Sequence, residues 1–149
     1  MDTGRFIGAA AGVWIVRVAL NWAFYAKIVG RQYANISSAH PGMFRTVIPA
    51  YIVADLLFAL AFAFLFVKVG TALGGGVLAG IKLGLIVVVF SAVIGALYDY
   101  YGVTYMPGAL ELTSVIFQVI AHAVEGAVAG FVYKTRMLAS AVPDRKSVV

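Results

Sequence analysis

The sequence contains no cysteine and few charged residues. Without a thiol, the chain forms no disulfide, provides no thiolate ligand for a metal and has no thiol nucleophile. Charged residues make up 11% of the 149 residues, whereas a soluble domain has roughly 25%. So few charges cannot supply the polar coat that a soluble fold of this size needs. The composition therefore predicts an integral membrane protein.

Hydrophobic residues are abundant and make up 63% of the chain. They are concentrated in four stretches, and each is long enough to cross a bilayer, which takes about 20 largely apolar residues. The four stretches cover approximately residues 6–29, 47–67, 77–98 and 112–133. We therefore predict an all-α fold, an antiparallel four-helix membrane bundle that forms a single transmembrane domain over residues 1–135. A polar C-terminal tail, residues 136–149, follows it.

The basic residues lie mostly near the ends of these stretches and carry no base-reading motif, so we expect contacts with lipid and no nucleic-acid partner. Four spans put both termini on one side. Six basic residues lie on that side: Arg5, Lys68, Lys134, Arg136, Arg145 and Lys146. Three lie on the opposite side: Lys27, Arg31 and Arg45. The excess predicts that both termini are cytoplasmic, in a bacterial inner membrane.

The fourth stretch carries a row of polar side chains in the middle of apolar sequence. The row consists of Glu111, Ser114, Gln118, His122 and Glu125, and its steps of three or four residues place all of them on one helix face. Hydrocarbon does not tolerate such a face, so we expect it to meet other helices, a cavity or water. A second polar face in the first stretch, which includes Arg17 and Asn21, is expected to meet it or to share its cavity.

These two faces, with two further charges, predict a buried polar network. Its members are Arg17, Asn21, Asp55, Lys82, Gln118, His122 and Glu125. Counting about 1.5 Å per residue along each helix gives two layers, Arg17 with Asp55 and His122, and Lys82 with Glu125. Alternatively, Lys82 extends to the headgroups. Asp99 and Glu111 lie near the opposite interface, where we expect water to solvate them.

Glycines at four-residue spacing predict close helix contacts in the half of the bundle that holds the termini. They are Gly8, Gly12, Gly76, Gly80, Gly84, Gly126 and Gly130. Small residues in such rows let two helix backbones approach each other. The contacts lie either inside one bundle or between two copies of the chain in a homodimer.

Two classes of function are consistent with these features. The first, and the one that we predict, is a non-enzymatic bundle that assembles with itself or with a larger membrane complex. The second is a small transporter or a proton- or ion-conducting protein that uses Arg17, Asp55, His122 and Glu125 as its route. The polar network is either structural or functional.

Catalysis and cofactor binding have less support in the sequence. Ser91 and Ser114 have no base at an identifiable spacing, so we predict no catalytic residue and no enzyme. His122 and Glu125 lack further ligands for a metal site. No cofactor is predicted, and haem or chlorin ligation by His122 is a minor alternative.

Overall fold

The computed structural model describes residues 2–42, 47–102 and 107–140, with the side chains of the last helix described up to Tyr133. Every regular element in these residues is a helix. The helices are α1 (Thr3–Ala23), α2 (Gly30–Ala39), α3 (Ile48–Val69), α4 (Gly76–Val88), α5 (Ile94–Gly102) and α6 (Gly108–Ser140). The predicted all-α fold is therefore confirmed. Residues 141–149 of the predicted tail, as well as Arg45, lie outside the described residues.

Two π-helical turns extend these helices. Phe24–Ile28 continues α1, and Val89–Val93 joins α4 to α5 in one continuous helix. Four helices are then long and apolar enough to cross a membrane: Thr3–Ile28, Ile48–Val69, Gly76–Gly102 and Gly108–Tyr133. Each lies within a few residues of a predicted span, so the predicted membrane bundle is confirmed. Four spans also place both ends of the bundle's chain on one side.

The spans pack in the spatial order α3, α1, α6, α4. Helix α6 contacts α4 along much of its length and α1 on another face, and α1 in turn packs against α3. Gly80 of α4 meets Gly126 of α6, and Gly84, one turn later, meets His122, one turn earlier. Neighbouring spans therefore run antiparallel.

The half of the bundle next to Thr3, Val69, Gly76 and Tyr133, called here the termini half, is dry and tightly packed. Its core consists of Val13, Ala59, Phe62, Phe66, Ala79, Leu83 and Ala129. A methyl group built on Gly80 would overlap the carbonyl oxygen of Gly126, and one on Gly130 would overlap that of Gly76. These helices are in direct backbone contact, which only glycine permits.

The opposite half, next to Ile28, Ile48, Gly102 and Gly108, is called here the loop half and is less compact. The rings of Phe24 and Phe117 stack at 3.9 Å between centroids and hold α1 against α6. Helix α5, in contrast, has no buried residue. The resulting space between α1, α5 and α6 holds the candidate site.

Candidate functional site

A cluster of three charged side chains joins α1, α3 and α6 near the middle of the bundle. The Nε of Arg17 donates to Oδ1 of Asp55 at 2.8 Å, and its Nη1 donates to Oε1 of Glu125 at 3.1 Å. Asn21 donates a further hydrogen bond to Asp55 at 3.3 Å. The Glu125 side chain is completely buried, and those of Arg17 and Asp55 are each 15% exposed. Arg17 is therefore the cation that both buried carboxylates share.

The cluster has one guanidinium for two carboxylates, so with all three groups ionised it carries a net negative charge. A guanidinium suits this role because its planar fork of N–H donors serves two acceptors at once. The ring of Phe58 lies 3.7 Å from the guanidinium carbon of Arg17 and restrains it. Among the described residues, Nη2 of Arg17 has no hydrogen-bond partner. The cluster thus retains an unused donor.

His122 lies beside the cluster and is held at both ring nitrogens. Its Nδ1 is 2.8 Å from the carbonyl oxygen of Gln118. Because that oxygen can only accept, Nδ1 carries a proton and donates it. The Ser91 hydroxyl lies 3.1 Å from Nε2, and Phe58 packs edge-on against the ring at 5.2 Å. With 1% of its surface exposed, His122 is fixed in one orientation.

Ser91 is a site residue that the sequence analysis did not pair with His122. It lies in the π-helical turn Val89–Val93, a type of irregularity that is frequent at functional sites. Its partner is 31 residues away in sequence, so no local spacing reveals the contact. The glycine register does not predict the contact either, because Gly84 lies opposite His122 and Ser91 comes two turns further toward the loop half.

A polar cavity of about 250 Å³ runs from the loop half to this cluster. Four members of the polar row on α6 line it: Glu111, Ser114, Gln118 and His122. Arg17 and Ser91 also line it. From Glu111 to His122 the helix rises about 16 Å, roughly half of the ~30 Å hydrocarbon core. The cavity therefore connects the loop end of the bundle with its middle.

The outer part of the cavity is lined by Tyr25, Tyr33, Asp99 and Glu111. Glu111 is only 9% exposed and lines the cavity, so its expected solvation would have to come from water in the cavity and stays a prediction. Burial raises the pKa of the Tyr33 phenol above its ordinary value of 10.0, and the charges of Glu111 and Asp99 raise it further. Asp55 and Glu125 lie in the cluster at the inner end of the cavity. Together with Asp99 and Glu111 they make four carboxylates for the one guanidinium of Arg17, so the cavity has a negative potential.

Lys82 lies apart from the cluster. Its Nζ donates to the Leu73 carbonyl oxygen at 3.3 Å, and its side chain is exposed. The predicted pair of Lys82 with Glu125 is not formed, because Glu125 binds Arg17 instead. Lys82 is two residues from both Gly80 and Gly84, and it therefore lies on the face of α4 that points away from α6. Of the predicted network, Arg17, Asn21, Asp55 and Glu125 are in direct contact, and His122 and Gln118 lie beside them.

The predicted glycines lie at two contacts. Those of α4 meet α6 backbone, as described above, whereas Gly8 and Gly12 of α1 face the side chains of Val132 and Val128. The glycine rows of α4 and α6 are therefore used inside one chain.

Cofactor ligation finds no prepared position in the described part of the chain. No group of three or more histidine, aspartate or glutamate side chains there is arranged to hold a metal ion. The Nε2 of His122 is already hydrogen-bonded to Ser91, so binding a haem or chlorin metal through it would first require release of Ser91.

Comparisons with known proteins return no relative. No protein-family model matches this sequence, and no curated protein and no solved structure matches it. Function therefore has to be argued from the site itself.

Proposed function

We propose that this integral membrane protein is a small transporter that carries protons or small cations through the cluster of Arg17, Asp55 and Glu125. The observation that supports the proposal is the polar cavity, which extends from the loop end of the bundle to Arg17 and His122. A purely structural ion pair needs no such access. Charges inside a membrane protein that are reached by a polar cavity are typical of ion and substrate routes.

The proposed mechanism uses the charge balance of the cluster. Arg17 neutralises Asp55 and Glu125 only in part, so a proton or cation arriving along the cavity competes with Arg17 for a carboxylate. Arg17 holds the carboxylates while the site is empty, and the incoming charge releases one of them. The dry termini half closes the route in this conformation, so transport requires a second conformation in which that half opens.

Assembly through the glycine rows is less well supported. The rows of α4 and α6 face each other within the chain, which leaves them unavailable to a second copy. Assembly through other surfaces stays a prediction.

The proposal includes an orientation. The excess of basic residues on the side of the termini supports both termini in the cytoplasm of a bacterial inner membrane. In that orientation the cavity opens away from the cytoplasm.

Vesicles reconstituted with the purified protein test the proposal. Under an imposed membrane potential, we expect the wild type to pass protons or monovalent cations faster than protein-free vesicles. Glu125→Gln removes one carboxylate at nearly constant shape and should abolish this flux. Lys82→Met is the matched control, since it removes an intramembrane charge outside the cavity, and it should keep the flux.

The result depends on folded protein, so each variant is first examined by size-exclusion chromatography. A folded Glu125→Gln variant with wild-type flux would overturn the proposal. So would a wild type whose flux equals that of protein-free vesicles for protons and for all monovalent cations tried.

A further inference from the structure

We propose that the outer part of the cavity is a binding site for an organic ammonium ion, formed by Glu111, Asp99, Tyr25 and Tyr33. This inference names the substrate class of the proposed transporter. It rests on the proposed function for what happens after binding, whereas the binding itself is a separate property of these four residues.

The first observation is the state of Glu111. The residue is only 9% exposed, and within the described chain its carboxylate has no hydrogen bond and no ion pair. A carboxylate with so little access to bulk water is unfavourable unless a cation or a donor compensates it. Glu125 has Arg17 for this purpose, whereas Glu111 has no cation among the described residues and only the positive end of the α6 dipole beside it. The carboxylate lines the cavity, so a cation there would be its partner.

The second observation is the set of groups around Glu111. Asp99 lines the same part of the cavity from α5, and the rings of Tyr25 and Tyr33 meet edge-to-face at 5.7 Å between centroids. Aromatic faces beside carboxylates attract ammonium groups through cation–π and charge interactions together. The charges of Glu111 and Asp99 both act on the Tyr33 phenol. The two carboxylates and both rings line one cavity, so one ligand in it can contact them.

The same groups disfavour other ligands. A small hard metal ion such as Ca²⁺ takes six to eight oxygen ligands, and the described residues contain no cluster of three or more acidic or histidine side chains suited to a metal. An anion would face Glu111 and Asp99. The cavity volume of about 250 Å³ corresponds to about eight water molecules at ~30 Å³ each, which accommodates an ammonium ion with a few carbon atoms.

Binding is tested by calorimetry on the full-length protein in detergent, with tetramethylammonium chloride as the probe. We expect wild-type binding, with neutral tert-butanol as a ligand control that does not bind. Glu111→Gln should weaken binding by about tenfold or more, because tetramethylammonium has no N–H donor and is attracted to this carboxylate by its charge. Tyr33→Leu should weaken it by a few fold. Asp2→Asn removes a carboxylate that pairs with Arg5 outside the cavity and should bind as the wild type does.

A second measurement is specific to this location. Tetramethylammonium next to Tyr33 favours the phenolate, so it should lower the pKa of that phenol. The difference in tyrosinate absorbance between wild type and Tyr33→Phe, titrated with and without the probe, measures this shift. An ammonium ion bound elsewhere would leave the titration unchanged and would contradict the proposed location.

The outcomes separate this inference from the transport proposal. No wild-type binding of tetramethylammonium, or equal binding by Glu111→Gln, overturns the site. If Glu111→Gln does not fold, Asp99→Asn replaces it, since Asp99 is exposed and its loss should be tolerated. Binding with no flux in vesicles would keep the site and reject transport. Proton flux without ammonium binding would reject the site and keep transport.

Discussion

The two halves of the bundle differ in how α4 and its continuation pack against α6. In the termini half, α4 and α6 meet backbone to backbone through Gly80, Gly84 and Gly126. In the loop half, the continuation of α4 beyond the turn Val89–Val93 leaves α6, and a polar cavity fills the gap. Helix α6 and the continuous helix formed by α4 and α5 are therefore in backbone contact at one end and separated by a polar cavity at the other. The change occurs at a π-helical turn, where an inserted residue alters the direction of the following side chains.

The charged residues follow this division. Glu125 faces the dry half and is paired with Arg17, whereas Glu111 faces the cavity and has no ion pair among the described residues. A buried charge without a partner is costly in a dry core and tolerated next to polar space. The boundary between the halves is thus an electrostatic boundary, and Arg17 lies on it.

The largest expected effect comes from removing the charge at this boundary. Arg17→Leu leaves Asp55 and Glu125 buried without a cation, which should lower the free energy of unfolding by about 3–5 kcal/mol. Denaturant unfolding in mixed micelles measures the loss. Combining Arg17→Leu with Asp55→Asn and Glu125→Gln removes the unpaired charges and should recover most of it. Equal stability of the single and the triple variant would contradict the role of Arg17 as the shared cation.

Two glycines of the same continuous helix should respond differently to substitution by alanine. Gly80→Ala puts a methyl group against the Gly126 carbonyl, which cannot move without separating the helices, and should cost about 3 kcal/mol. Gly95→Ala is the matched control, because a methyl group there has no neighbour within 4 Å. It should be neutral or slightly stabilising. Similar losses at both positions, measured by the same unfolding assay, would mean that the halves do not differ in packing.

A smaller effect on the free energy of unfolding is expected from losing the contact between Ser91 and His122. Ser91→Ala removes the hydroxyl next to Nε2 of His122 and should cost about 1 kcal/mol. Ser38→Ala is the control, since Ser38 bonds only the Ala34 carbonyl within its own exposed helix turn. If water in the cavity replaces the lost hydroxyl, the cost falls toward that of the control. A cost above about 3 kcal/mol would instead mean that His122 is sealed from water.

Part of this arrangement is predictable from the sequence. The four spans and the polar row of α6 follow from apolar length and helical periodicity, which are properties of single helices. Whether Glu125 pairs with Lys82 depends on the rotation of α4 about its own axis. Depth along the membrane normal, from which that pair was predicted, gives no information on this rotation. The glycine row of α4 does give the rotation. When Gly80 and Gly84 face α6, Lys82 between them points away from α6. The Ser91–His122 contact and the cavity required the tertiary register and the π-helical turn, which no local pattern indicated.

Single cysteine substitutions test directly whether the two halves differ in access to water. The chain has no cysteine, so a single introduced thiol reacts without background. Ser91→Cys is nearly isosteric and replaces an exposed side chain on the cavity, whereas Val13→Cys lies in the dry core. A polar methanethiosulfonate reagent should modify the first position and leave the second unmodified in folded protein.

The charge of the reagent sharpens this experiment. Because carboxylates outnumber the single guanidinium around the cavity, a trimethylammonium reagent should react with Ser91→Cys faster than a sulfonate reagent of similar size. The preference should shrink as salt is added, since ions screen the potential at the cavity mouth. Adding Glu111→Gln to Ser91→Cys should reduce it further by removing a buried negative charge that lines the cavity. A faster reaction with the sulfonate reagent would show that Arg17, with its unused Nη2 donor, dominates the field in the cavity and that the cavity selects anions.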